Sequence, residues 1–208
     1  MGSDTPDYYF DTVAGARSAH MTITGPQPAS LKQAMPNRRY AIRGTDIKFQ
    51  FSELVVSGTV VEVRDGPAFA HRDDDTIYPV AFDDPAAVEH AFDVVMRVDE
   101  EFGATTGKDA VTFRVGAMNA EDLDAYKSSL QGLGDVIVFL QSRQDRDGTV
   151  WIPIEQGALI GLVSNSGELR FPGLGTDQAP KFTDEMSTMK QLRAAARERP
   201  QTTTLVAE

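Results

Sequence analysis

The side chains that could carry chemistry in this sequence are few and scattered. The three histidines are His20, His71 and His90. None stands in an HExxH or HxH spacing, which would bring two imidazoles to one face of a helix or strand, so a zinc hydrolase has no support. His71 lies just before Asp73, Asp74 and Asp75. One imidazole and three carboxylates are donor types that a divalent cation accepts, so these four residues are the candidate metal ligands. Oxygen donors suit Ca²⁺ best, and Asp83 and Asp84 add to the supply. The plain alternative is a solvated acidic loop. No EF-hand spacing is present, and adjacent side chains of an extended chain point to opposite faces. The sequence requires no cofactor. His90 opens an alternating stretch and reads as an edge residue.

Nucleophile signatures are missing. The chain has no Cys, which excludes disulfides, thiolate metal sites, cysteine nucleophiles and Fe–S clusters. It has no G-x-S-x-G elbow, no phosphate loop and no G-x-G-x-x-G. Gly132-Leu-Gly134 falls between an expected helix and an expected strand, the reverse of a phosphate-loop order. A glycosidase carboxylate pair leaves no trace in sequence, because its 5–10 Å separation is set by the fold. The reading leans away from an enzyme. The remaining recognition chemistry is aromatic. Trp151, the only Trp, alternates with Val150 and Ile152. Facing inward it is core. Facing outward beside Tyr78, Phe69 and Phe171 it is a binding anchor for a ligand or partner.

Charge narrows the partners. Of 208 residues, 31 are acids and 20 are bases. Residues 73–124 hold 14 acids and 3 bases, a net of −11 that equals the whole excess. Such a field repels phosphate backbones, so nucleic acid is an unfavourable partner. A protein partner or a solvated face fits better. No stretch approaches the ~20 apolar residues of a membrane helix, so no integral membrane segment is expected. The first 19 residues lack an apolar signal region, and the chain as given carries no secretory signal.

Positioning these residues requires elements, and the patterning is mostly of period two. Residues 1–45, interrupted by Pro6, Pro26, Pro28 and Pro36, read as a loosely ordered N-terminal arm with a short strand at 21–24 and a basic cluster of Arg38, Arg39 and Arg43. The arm is expected to pack along the acidic middle. Ile47, Phe49 and Phe51 alternate with polar residues. Residues 54–63 read as a long strand closed by Asp65-Gly66, with Gly58 marking a bulge or bend. Further strands are expected at 76–82 (an edge, because of Pro79), 90–98, 111–115, 136–140 (apolar throughout, buried on both faces), 149–154, 158–163 and 168–171. One helix spans 120–131, capped by Asn119, with Leu123, Tyr126 and Leu130 on its apolar face. A second spans 184–199, capped by Thr183, with Met186, Met189, Leu192 and Ala196 as its stripe. Residues 201–208 read as a frayed tail.

The chain is therefore expected to be mainly β with two short helices. A long bent strand, further strands, a helix after the third main strand and two closing strands follow the plan of an OB-like Greek-key β-barrel. An open β-sandwich is the alternative. The domain reading is an arm at 1–45, a barrel at 46–175, and a C-terminal helix and tail at 176–208. LVVSGTVVEV at 54–63, HAFDVVMRV at 90–98, VTFRV at 111–115, GDVIVFL at 134–140 and GTVWIPIEQG at 148–157 follow one another as opening strand, middle strands, buried strand and closing segment. Across residues 52–172 this order resembles exported bacterial OB-fold-like domains similar to tissue inhibitors of metalloproteinases. Those inhibitors act through an N-terminal cysteine, which this chain lacks, so no inhibitory residue is carried over. The resemblance implies an extracytoplasmic location in a bacterium, with the cytoplasm as alternative. The functional expectation is a non-enzymatic β-barrel binding or protein-interaction module at the envelope. The alternatives are a carboxylate- or metal-dependent hydrolase and a structural subunit of an assembly.

Overall fold

The computed structural model describes residues 6–19, 27–72, 76–103, 105–117, 120–145, 148–175 and 178–205. In chain order the elements are α1 (Asp7–Ala19), α2 (Leu31–Ala34), β1 (Arg38–Ile42), β2 (Lys48–Phe49), β3 (Leu54–His71), β4 (Ile77–Val80), β5 (Glu89–Gly103), β6 (Ala110–Gly116), α3 (Leu123–Gln131), β7 (Asp135–Asp145), β8 (Gly148–Pro153), β9 (Ile160–Val163), β10 (Leu169–Arg170), α4 (Ala179–Thr183), α5 (Met189–Ala196) and β11 (Gln201–Leu205). Single 3₁₀ turns occupy Glu155–Gly157 and Pro172–Leu174. The chain is mainly β, as its alternation requires, but it has five α-helices among the described residues where the sequence suggests two.

Eight strands form one sheet in the order β10-β9-β7-β8-β6-β5-β3-β4, and β7 also pairs with β3. The pairings β3–β5, β5–β6, β6–β8, β8–β7 and β7–β3 therefore return to their start. All are antiparallel except β6–β8, which is parallel and joined at one residue pair, Phe113↔Trp151. Period-two alternation fills the interior. Phe92, Val94 and Met96 of β5 and Val111, Phe113 and Val115 of β6 are buried, while Asp93, Arg97, Thr112 and Arg114 point outward. Residues 136–140 are buried without exception, as a continuous apolar run predicts. Each large side chain buried there contributes about 1.5–3 kcal/mol.

β3 runs through Asp65-Gly66 to His71 rather than turning there. It bends instead at register shifts after Ser57, Val60 and Asp65. The first shift sits at Gly58, where an added Cβ would lie 1.9 Å from the Arg97 carbonyl oxygen. Only glycine lets the two backbones approach so closely.

Residues 1–45 are more ordered than the proline count suggests. Pro6 precedes α1, where a proline is tolerated because first-turn N–H groups lack helical partners. Tyr9, Phe10 and Val13 of α1 enter the core, and the Tyr9 N–H donates to Ser129 Oγ at 2.8 Å. Arg38 is buried and pairs with Glu198 and Gln201 of the C-terminal region, not with the acidic middle. The expected strand at 21–24 lies outside the described residues.

The C-terminal region also differs. β11 pairs in parallel with β1 over its whole length, so 201–205 is not a frayed tail. The single helix expected at 184–199 is two shorter ones. Thr183 ends α4, and α5 starts after Thr188, whose hydroxyl accepts from the Gln191 N–H. The break has a physical cause: Thr188 is extended (φ −139°, ψ 152°) and bridges to Glu168, while Ser187 accepts from the Leu169 N–H. α3 is capped by Asp122, whose carboxylate accepts from the Ala125 N–H at 2.9 Å. Asn119, the expected cap, lies outside the described residues.

Candidate functional site

The outward positions of β6 and β7 supply the polar part of the site. Alternation that drives Phe113 and Val115 inward turns Arg114 out between them. The same rule sets Arg143 and Asp145 together on the outer face of β7. Arg114 donates from Nε to Asp93 Oδ1 at 2.7 Å, from Nη2 to Asp93 Oδ2 at 3.0 Å, and from Nη1 to Asp145 Oδ2 at 2.5 Å. One guanidinium thus ties β5, β6 and β7 across the place where β6 and β8 share a single paired position. The hydrogen bond to Asp93 raises the Arg114 pKa further, against the opposing effect of its partial burial.

Beside this clasp lies a cleft of about 290 Å³. Helix α1 forms one wall with Thr12, Val13 and Ala16, and β3 a second with Pro67 and Phe69. Ala91, Val115, Ile152 and Pro153 add apolar surface, and Tyr126 closes the inner end. Glu89, His90, Arg114, Arg143, Asp145 and Gln156 are the polar lining.

Most of these polar groups are tied internally. The Tyr126 hydroxyl donates to the Gly116 carbonyl at 2.9 Å, and His90 Nε2 lies 3.1 Å from the Phe82 carbonyl. Glu89 meets His71 Nε2 at 2.9 Å. Burial raises the Tyr126 phenol pKa, and burial beside Tyr126 raises that of Tyr9. Arg143 is exposed and has no charged partner among the described residues, and the Gln156 amide has no hydrogen-bond partner there either.

Gln156 sits on a strained turn. Glu155 and Gln156 both have φ 54°, a left-handed conformation that costs a non-glycine residue about 1 kcal/mol or more. Gly157 follows at φ 90°. Its carbonyl accepts from the Tyr9 hydroxyl at 3.0 Å, and a Cβ there would lie 2.3 Å from that oxygen. The anchored N-terminal helix thus holds the turn at the mouth of the cleft.

The aromatic candidates do not converge. Phe69 is half-buried in the cleft wall. Tyr78 is on β4, opposite Ala70, with the Arg72 guanidinium 4.9 Å above its ring. Alternation puts it on the other face of the sheet from Phe69. Trp151 packs half-buried against the core and lines a separate groove of about 300 Å³ with Asp93, Lys108, Thr112 and Arg114. Phe171 is a correction: it is 2% exposed and packs on Phe139 at 6.1 Å, because the turn after β10 folds it inward over β7. It is core, not an anchor.

The candidate metal site is not assembled among the described residues. His71 is exposed and bound to Glu89, while Asp73, Asp74 and Asp75 lie outside those residues. No group of three or more potential ligands gathers among the described residues. No described helix is long and apolar enough to cross a membrane. Compared with family models, curated proteins and solved structures, the chain matches none.

Proposed function

We propose that this chain is a non-enzymatic binding module built on an OB-like β-barrel, with the cleft beside α1 as its binding site. The barrel reading is supported by the circuit β3–β5–β6–β8–β7–β3. It is also supported by the parallel β6–β8 contact and by the position of α3 between β6 and β7. An open sandwich has no use for the β7–β3 pairing.

One observation carries the functional reading. In the cleft, Arg114, His90, Glu89 and Tyr126 already spend hydrogen bonds on internal partners. The raised pKa values of Arg114 and Tyr126 move them further from proton exchange near neutrality. Such a lining offers shape and fixed charge, which suits recognition better than general acid–base work.

A protein partner and an envelope or exported location belong to the same proposal. The location rests on the resemblance of the strand order alone. Affinity capture from the source cells, with soluble and envelope fractions kept apart, tests all three parts when wild type and Phe69→Ser are compared. The expected result is a stoichiometric partner or small molecule, enriched from the envelope fraction, that the variant loses. Equal recovery by both proteins contradicts the cleft as the binding site.

A further inference from the structure

We infer that the cleft takes a small amphipathic carboxylate, its head on Arg143 and its apolar body along Phe69, Val115 and Ile152. The inference rests on the binding-module reading and names the ligand class of that site.

The first argument is charge. The cleft lining contains two cations, Arg114 and Arg143, and two anions, Glu89 and Asp145. Arg114 is matched by Asp93 and Asp145, and Glu89 is engaged by His71. Arg143 is the lining cation that no carboxylate meets among the described residues. A guanidinium presents a planar fork of donors that a carboxylate matches.

The second argument is the turn. Gln156 lines the cleft from a backbone held at φ 54°, next to Gly157, whose carbonyl accepts from the Tyr9 hydroxyl. Backbone strain of this kind is retained where geometry is used. The Gln156 amide is a further N–H donor in the same lining, with no hydrogen-bond partner among the described residues.

The third argument is size. At about 290 Å³ the cleft stands at the lower limit of small-molecule sites, which begin at roughly 300 Å³. With mostly apolar walls, the ligand is one charged group on a short hydrocarbon or aromatic body rather than a polyanion. Octanoate has this size and chemistry and serves as the probe.

The experiment is calorimetric titration of the full chain with sodium octanoate, octylamine and 1-octanol, on wild type and on Arg143→Gln. The Arg143 side chain is exposed, so the variant should keep the wild-type Tm. The expected result is a Kd for octanoate on the order of 1 mM or tighter, with octylamine at least tenfold weaker. Arg143→Gln should weaken octanoate about tenfold and leave octanol unchanged. If octanoate, octylamine and octanol bind alike, the ligand class is wrong while the cleft remains a binding site. If none of the three binds, the carboxylate inference is overturned, and the capture comparison of wild type with Phe69→Ser decides the binding-module reading separately.

Discussion

Replacing Arg114 with Met keeps the aliphatic stem on β6 and removes the charge that joins Asp93 to Asp145. The three side chains are 19%, 26% and 21% exposed. Breaking a fully buried pair costs about 3–5 kcal/mol and an exposed one about 0–1 kcal/mol. Partial exposure calls for a value between them, so the expected loss is about 2–3 kcal/mol. Part of it is the mutual repulsion of two carboxylates left facing one another. In urea this shifts the midpoint by roughly 1 M, with an m-value of ~2–3 kcal/mol/M. The loss is local in origin, because β6 and β8 share only the Phe113↔Trp151 pair. Trp151, the single Trp, is one member of that pair, so its emission reports on the seam directly. The variant should show red-shifted native-state emission and faster hydrogen exchange at residues 112–114 and 150–152. Adding Asp145→Asn should recover part of the stability by relieving the repulsion between Asp93 and Asp145. A urea midpoint within 0.2 M of wild type (less than about 0.5 kcal/mol) and unchanged Trp151 emission would refute the clasp.

Three further outcomes follow from the geometry. Burial raises the Tyr9 and Tyr126 phenols, so the folded chain keeps two protons that an unfolded chain releases near pH 10. Stability is then fully present below about pH 10 and falls above it by about 1.4 kcal/mol per pH unit for each phenol. Urea midpoints between pH 8 and 11 check this, and the decline should be shallower in Tyr126→Phe. Gly58→Ala should cost about 2–4 kcal/mol, because the new Cβ would overlap the Arg97 carbonyl oxygen and force the β3 bend open. Thermal unfolding measures it, and a neutral effect contradicts the close approach. Gln156→Gly relieves a left-handed residue and should stabilise by about 0.5–1 kcal/mol while weakening octanoate, a trade that paired melting and titration would show.

The strands were the legible part of this fold. Alternation marks 90–98 and 111–115, and the apolar run at 136–140 marks a strand covered on both faces. Gly58 announces the bend that its neighbour Arg97 then requires. The ends of elements were harder to read. Asn119 and Asp122 are both good caps, and local sequence does not say which one the β6–α3 connection will use. Ser187-Thr188 looks helical in a stripe of Met and Leu until Glu168, far away in sequence, pairs with Thr188. Helix α1 carries its apolar content in aromatic residues next to a proline, and β11 is rich in exposed Thr, so both depend on contacts from distant segments. Of the site, Phe69 was singled out by type, and Trp151 and Tyr78 were found elsewhere on the surface. Arg114, Arg143 and Gln156 were missed because an outward polar residue on a strand looks the same in sequence whether it meets solvent or a cleft. Part of the signal is present in sequence: Gln156-Gly157 has the composition of a turn, while the left-handed backbone there emerges only in the fold, where Tyr9 binds Gly157.

The most direct test of the binding site is a backbone-amide NMR titration of the full chain with octanoate. The account predicts saturable shifts concentrated at residues 89–91, 115–116, 143 and 156–157, which need about tenfold more octanoate in Arg143→Gln. Shifts centred instead on the groove of Thr112, Thr149 and Trp151, or spread without saturation over the surface, would contradict it.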